Sequence, residues 1–178
     1  MPASAAPTAL GLPASLGGLV PMSDLAGIAP GSAASIRAAA SREAAAAVTL
    51  AASVSRAYGS VPAGARTYHD EGLTEQVLLL AVRKQSPGLY TTSMSAADAH
   101  FAAAPQEVRT VGAVQCLVAN DPTPEGTKPA PDTVHVLTCQ RTAAGKTVIV
   151  MNQAFDSALS HDPRAMAALV DTAWRSIA

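Results

Sequence analysis

The chain contains two cysteines, which are placed in the sequence so that they could form a disulfide bond. Cys116 and Cys139 each lie in a predicted strand, and a long connection joins the two strands. If the strands pair antiparallel about the middle of that connection, Cys116 falls opposite Cys139 at a distance that a disulfide can bridge. The alternative is two free thiols in a core. A disulfide predicts an extracytoplasmic location, whereas free thiols favour the cytoplasm.

The other residues of reactive type do not form a recognised catalytic or metal-binding pattern. Gly145-Lys146-Thr147 is similar to the end of a phosphate-binding loop, but Gln140 stands where that motif requires glycine. None of the histidines has a partner at the spacing of a helical zinc pair. The compact group His69-Asp70-Glu71 lies at a strand end, where neighbouring side chains point to opposite faces. We therefore predict no catalytic residue, no cofactor and no metal site, and an enzyme that uses dispersed residues such as these stays an alternative.

A proline-rich segment between the cysteines could contact a partner. This proline loop runs from Asn120 to Asp132, contains four prolines and has no apolar periodicity. Because proline restricts the unbound chain, ordering such a loop on binding costs little entropy. We predict that a protein or cell-envelope component contacts Asn120, Asp121, Pro122, Pro124, Glu125, Lys128, Pro129, Pro131 and Asp132. The alternative is a tolerated insertion on a β-hairpin.

Composition and charge exclude several classes of function. The chain has 178 residues, with 12 Lys and Arg against 13 Asp and Glu, and a net charge of −1. This balance argues against a nucleic-acid binder and against a polybasic membrane-surface protein. Hydrophobic residues make up 49% of the chain and aromatic residues only 3%, so the predicted core is aliphatic.

Neither a membrane span nor a signal peptide is evident in the sequence. No stretch approaches about 18 consecutive apolar residues, the length that a transmembrane helix needs. The residues after Met1 lack the basic and leucine-rich regions of a signal peptide. We expect either a cytoplasmic protein or an extracytoplasmic one that meets the membrane only through a removed anchor.

The helices and strands that would position the cysteines and the proline loop are predicted only after residue 31. Residues 1–31 are rich in Pro, Ala and Gly, and we interpret them as a tether to a single domain over residues 32–178. Alternatively, the apolar strip from Leu10 to Val20 docks on that domain. A long helix is predicted from Ser32 to Tyr58, with Ser32 as its N-cap. An amphipathic helix is predicted to start at Asp162-Pro163 and to end the chain.

The sequence between the two predicted helices is predicted to form mainly β-strands. The predicted strands are 66–70, 73–84, 107–111, 113–119, 134–140 and 146–152, and a short helix is predicted over 96–103. This order predicts an α+β fold with a mostly antiparallel sheet, packed by the long N-terminal helix and the C-terminal helix.

The second half of the chain resembles a known group of proteins. The segment from Gly112 to Ala178 contains Val-Gln-Cys-Leu-Val, the proline loop, Thr-Cys-Gln-Arg-Thr and a helix ending in Ala-Trp. It looks like the extracytoplasmic domains of uncharacterised actinobacterial membrane proteins and lipoproteins, although no cysteine lies near the N-terminus as in a lipoprotein. The resemblance implies a membrane-anchored extracytoplasmic location; because these families are mainly of unknown function, it supplies no catalytic residues. We therefore predict a non-enzymatic extracytoplasmic domain that binds a protein or cell-envelope partner; a cytosolic scaffold protein is a further alternative.

Overall fold

A computed structural model describes residues 10–154 and 156–177 as an α+β fold around one six-stranded sheet. The strands are β1 (Ala63–His69), β2 (Gln76–Val82), β3 (Gln106–Val111), β4 (Val114–Asn120), β5 (Val134–Ala143) and β6 (Lys146–Asn152). The α-helices are α1 (Ala33–Ala57), α2 (Ala96–Ala99) and α3 (Pro163–Ser176), and short 3-10 helices span Met22–Leu25, Pro131–Thr133 and Ala158–His161. The strand order is β1-β2-β6-β5-β4-β3, and all neighbours are antiparallel. The predicted fold class is confirmed.

A tight turn closes the hairpin between β5 and β6. Strands β5 and β6 are joined through Ala144 and Gly145, with φ angles of 47° and 72°. Two successive left-handed residues make the hairpin turn whose twist matches that of paired strands. The chain therefore runs from β3 to β6 as a meander, and β6 then pairs with β2.

The long helix α1 forms where the sequence predicts it. The Ser32 side chain accepts a hydrogen bond from the Ser35 N–H at 3.1 Å, which caps the N-terminus. Gly59 follows the last turn with a φ of 88°, a conformation that glycine adopts without strain. Helix α1 packs along β1, yet only Ile36 and Ser55 of its residues are buried. Most of its surface is therefore exposed.

Helix α3 covers one face of the sheet. Asp162 accepts hydrogen bonds from the N–H groups of Arg164 and Ala165 at 2.8 and 3.0 Å, and Pro163 occupies the first turn. The buried core between α3 and this face comprises Leu16, Leu19, Tyr68, Val77, Leu79, Ala81, Val114, Cys116, Val118, Val136, Cys139, Val148, Val150, Met166, Ala167, Leu169, Val170, Ala173 and Ile177. Trp174 is only partly buried, at the edge of this core.

The segment before α1 also packs on the sheet, so the interpretation of residues 1–31 as a tether is wrong for residues 10–31. Leu16 and Leu25 are 0% and 1% exposed, respectively. A tight turn through Gly17 and Gly18 joins Leu16 to Leu19 by two backbone hydrogen bonds of 2.8 and 3.1 Å. The docked alternative is therefore the observed one, because spaced leucines and a glycine turn outweigh the Pro/Ala/Gly composition. The part of the tether over residues 1–9 lies outside the described residues.

Two smaller differences concern the ends and registers of elements. Helix α2 stops at Ala99 because His100 adopts a left-handed conformation, with a φ of 54°. In the pairing of β4 with β5, Leu117 is opposite Thr138 but Val118 is opposite Val136. This bulge lets Val136 and Cys139 both point into the core although they are three positions apart, an odd spacing that would otherwise put them on opposite faces.

In the part of the chain that the structure describes, no helix is long and apolar enough to cross a membrane.

Candidate functional site

The predicted disulfide is present. Cys116 and Cys139 face each other in the register of β4 and β5, with their Cα atoms 4.0 Å apart and their sulfur atoms bonded. Both residues are fully buried under α3, and the Cys116 Sγ lies 3.7 Å from the Pro163 carbonyl oxygen. The bond therefore joins two central strands and lies against the first turn of the helix that covers them.

The proline loop is exposed, but it is not detached from the rest of the molecule. Most of its side chains, including those of Glu125 and Lys128, face solvent. The Ala102 N–H donates to the Thr123 carbonyl at 2.8 Å, and the Asp121 N–H donates to the Thr133 carbonyl at the same distance. The loop therefore rests against the segment that follows α2.

Asn120 differs from the other residues that we predicted to contact a partner. Its Nδ2 donates to the Ala104 carbonyl at 2.8 Å, and its Oδ1 accepts from the Arg109 guanidinium at 3.2 Å. These bonds link the end of β4 to β3 and to the segment before it. The side chain of Asn120 therefore anchors the base of the loop.

The compact group His69-Asp70-Glu71 is separated by the fold. His69 is 3% exposed, and its Nε2 lies 3.0 Å from both carboxylate oxygens of Glu43 on α1. The Asp70 carboxylate accepts from the N–H groups of Thr74 and Glu75, each at 2.7 Å. His69 thus links the sheet to α1, whereas Asp70 closes the turn between β1 and β2.

These turn contacts also shift the pKa of Asp70. Partial burial alone raises the pKa of this carboxyl, but the hydrogen bonds from Glu75 and Thr74 outweigh it and lower the pKa below its ordinary value. The ionised form of Asp70 is therefore the one that the turn stabilises.

Two histidines that are far apart in sequence meet in the structure. The rings of His135 and His161 lie 5.0 Å apart in an edge-to-face arrangement. The His161 Nδ1 donates to the Val134 carbonyl at 2.8 Å, and the His135 Nε2 lies 3.2 Å from an Asp121 carboxylate oxygen. Over residues 10–154 and 156–177, no group of three His, Cys, Asp or Glu side chains is placed to bind a metal ion.

An open groove, with a volume of about 720 Å³, runs along the outer edge of β1. We call it the edge groove. One wall is α1 and the other is the strip before it, with β1 as the floor. The wall on α1 consists mainly of small apolar residues: Ala40, Ala44, Ala47, Val48, Ala51 and Ala52. The strip contributes Leu10, Leu12 and Ala14, the residues Pro21 and Met22 that follow it also line the groove, and the floor is formed by residues 63–67.

The backbone of β1 forms a hydrogen-bonding edge along the floor of the edge groove. His69 exchanges two backbone hydrogen bonds with Val20, of 2.8 and 2.9 Å, and the Leu10 N–H donates to the Ala63 carbonyl at 3.2 Å. Because alternate residues of a strand direct these groups to the same side, Ala65 and Thr67 also point theirs away from β2. Within the described residues, the outward backbone groups of Ala65 and Thr67 have no hydrogen-bond partner.

The strip that forms the second wall is attached to β1 by side-chain hydrogen bonds. The Pro13 carbonyl accepts from the Tyr68 hydroxyl at 2.6 Å and from the Arg66 guanidinium at 2.9 Å. Burial raises the pKa of Tyr68 to about 12, although the nearby Arg66 charge acts in the opposite direction. Gly64 lets the strip approach, since a Cβ there would lie 3.1 Å from the Leu10 carbonyl oxygen.

Sequence patterns do not predict the edge groove, although one signal is present. Helix α1 carries alanine at four successive positions, 44–47, and its apolar stripe is poor in large side chains. An alanine-rich helix face of this kind either packs closely on a sheet or leaves an open space beside it. Which of the two occurs depends on where α1 and the N-terminal strip lie in the fold.

Comparison with known proteins finds no match: no family model, no curated protein and no solved structure matches the chain. The resemblance to actinobacterial extracytoplasmic domains therefore stays a prediction from sequence motifs.

Proposed function

We propose that this chain is a non-enzymatic, disulfide-stabilised extracytoplasmic domain that binds a protein or cell-envelope partner. The edge groove is the observation that carries the proposal. It is concave, mostly apolar and close to a small number of polar groups, which is the usual character of a binding site. Its alanine-rich wall leaves room for an occupant between two elements that are anchored elsewhere in the fold.

The disulfide supports the location. Disulfides form and persist in oxidising compartments and are rare in the cytoplasm. The Cys116–Cys139 bond is buried in the main core, which is typical of a structural disulfide.

The titratable residues of the β1–β2 turn support a non-enzymatic role. His69 is buried with its Nε2 against the Glu43 carboxylate, and the Asp70 carboxylate is occupied by the turn. A general base must reach a substrate proton, and these contacts already use both side chains structurally.

The proline loop is a second candidate surface, because it is exposed and connects the two strands that the disulfide joins. Glu125 and Lys128 present opposite charges on it, and Pro122, Pro124 and Pro131 limit its conformations. We propose that the proline loop either adds specificity to partner binding at the edge groove or is itself the surface that binds the partner.

Site-specific photo-crosslinking in native cell-envelope preparations tests the proposal. A photoreactive phenylalanine analogue replaces Val48 in the groove wall, Lys128 in the proline loop, or Thr49 on the exposed side of α1 as the matched control. We expect a discrete protein or envelope adduct from Val48 or Lys128 and none from Thr49. Equal labelling from all three positions, or none from any of them, would contradict a binding function at these surfaces.

A further inference from the structure

We propose that the edge groove binds an extended peptide segment of the partner by adding it as a strand to β1. This inference rests on the proposed binding function and names the chemistry of the occupant.

The first argument is the direction of the backbone groups on the groove floor. Ala65 and Thr67 each direct an N–H and a carbonyl into the groove, so four groups are offered along β1. An extended peptide supplies the complementary groups at the matching spacing of about two residues. An acyl chain cannot form these hydrogen bonds.

The second argument is continuity with pairing that already exists on the same edge. Val20 pairs antiparallel with His69 at one end of β1, and Leu10 donates to Ala63 at the other. Between these two positions the strip leaves the edge and crosses the face of the sheet, where it contacts Gly64 and Tyr68. A partner segment would therefore complete a row of strand pairing that the chain itself leaves open in the middle.

The residues that line the two walls of the edge groove indicate the size and polarity of the side chains that a bound peptide would carry. In a strand, successive side chains would point alternately toward α1 and toward the strip. On the α1 side they would meet Ala44, Ala47 and Ala51, and on the strip side Leu10 and Leu12. Apolar side chains of moderate size, such as valine, fit both walls.

Charge adds a further requirement at one end. The carboxylates of Asp24 and Glu43 line the groove, and that of Glu43 lies at its His69 end. The positive charge of Arg66 is already directed to the carbonyls of Leu12 and Pro13. We therefore expect the peptide to place a lysine or arginine near Asp24 and Glu43.

A second copy of the chain is a poorer occupant than a peptide. Its own β1 edge would lie at the floor of an identical groove, between α1 and the strip. Two recessed edges cannot approach to the strand separation of about 4.8 Å that pairing requires.

Nuclear magnetic resonance titration of the full chain provides the test. The probe is a capped five-residue peptide of alternating valine and threonine with one lysine, made with the lysine at either end, because five positions of β1 lie between Ala63 and His69. We expect saturable shifts of the amide signals of Ala65 and Thr67 with at least one of the two peptides. If neither peptide binds at millimolar concentration, the inference is overturned, whereas crosslinking at Val48 would still support the proposed function.

Methylation of alternate peptide nitrogens distinguishes strand addition from other binding in the groove. Only every second N–H of an added strand points to β1, so one methylated version should bind at least ten-fold more weakly and the other should bind normally. Equal affinity of the two versions would overturn strand addition.

Variants of the protein give independent controls. Ala44→Leu fills the groove and should weaken peptide binding, whereas Ala45→Leu, one position away and outside the groove lining, should not. Thr67→Pro removes an outward N–H from an edge strand, where proline is tolerated, and should also weaken binding. Binding that occurs only after deletion of residues 1–9 would identify the chain's own N-terminus as the occupant and overturn a foreign peptide. If Thr67→Pro fails to fold, the methylated peptides still decide the question.

Discussion

At the scale of single residues, Gly17 shows how closely the N-terminal strip is packed. Its φ is 61°, and an added Cβ would lie 2.3 Å from Leu169 Cδ2 on α3. We expect Gly17→Ala to lower the free energy of unfolding by about 2–3 kcal/mol, because backbone strain and steric overlap add. Urea denaturation gives the value.

Gly18 is the matched control for Gly17. Its φ is also positive, at 91°, but an added Cβ would have no atom within 4 Å. Gly18→Ala should therefore show the backbone cost alone, about 1 kcal/mol. Equal losses for the two variants would mean that the strip does not pack on α3 in solution.

Asp70 predicts a dependence of stability on pH. Its pKa is lowered in the folded chain, so its contribution is complete above the ordinary carboxyl pKa and is lost as the pH falls through the lowered value. Asp70→Asn should therefore lower the unfolding free energy by about 1 kcal/mol at neutral pH, with the difference from wild type shrinking below about pH 4. Denaturation curves of both proteins between pH 2 and 7 test this. A difference that does not change with pH would exclude a role for the charge.

At the scale of elements, Lys146 connects the β5–β6 hairpin to the end of α3. Its ammonium donates to the carbonyls of Trp174 and Ile177 at 2.9 and 2.6 Å, and it lies 4.2 Å from the Trp174 ring. Burial, then the charges of Arg83 and Arg141, lower the pKa of Lys146. A cation at a helix C-terminus satisfies carbonyls that have no partner within the helix.

We expect Lys146→Met to lower the free energy of unfolding by about 1–2 kcal/mol, since it keeps the aliphatic stem and removes the hydrogen bonds. It should also change the fluorescence of Trp174, the only tryptophan. Lys128→Met, at an exposed position in the proline loop, should leave both unchanged. If the two variants behave alike, Lys146 does not stabilise the end of α3.

Elements with strong local signals were predictable from the sequence. Ser32 and Asp162 cap their helices as predicted, and the β5–β6 turn lies at Ala144-Gly145. The docked strip was harder to predict, because prolines and alanines hide its leucines in a composition typical of linkers. Burial of Leu16 and Leu25 depends on surfaces formed by β1, α1 and α3, which local patterns do not describe.

Of the candidate sites, the disulfide could be predicted from local sequence signals and the edge groove could not. Cys116 and Cys139 were predictable as a pair because one register between two strands places them together. The edge groove was not, since it depends on how far α1 stands from the strip. Such a distance is set by packing between elements remote in sequence and leaves no periodic signal.

At the scale of the whole molecule, the disulfide joins two cysteines that are 23 positions apart in sequence and lie on neighbouring strands. The chain-entropy model predicts a stabilisation of about 3 kcal/mol for such a loop. We expect the Cys116→Ala/Cys139→Ala double variant to lose about this amount in urea denaturation. In protein isolated from its native compartment, alkylation followed by intact-mass measurement should find no free thiol. Two readily alkylated cysteines would instead favour the cytoplasm.

The proline loop can be removed without disturbing the core, which separates the two candidate binding surfaces. Asp121 and Thr133 form the last hydrogen-bonded pair at its base, so an Asn-Gly turn can replace residues 122–132 between them. We expect a folded protein, because the replaced residues lie outside the two buried clusters.

The loop-replaced protein should keep its peptide affinity at the edge groove, because the groove is lined by α1, β1 and the strip. If the proline loop recognises the partner, adducts from native envelope preparations should be lost even though peptide binding persists. If crosslinking from Val48 is unchanged by the replacement, the loop is a tolerated insertion and recognition belongs to the edge groove. Since the two surfaces involve different elements, each result assigns the partner to one of them.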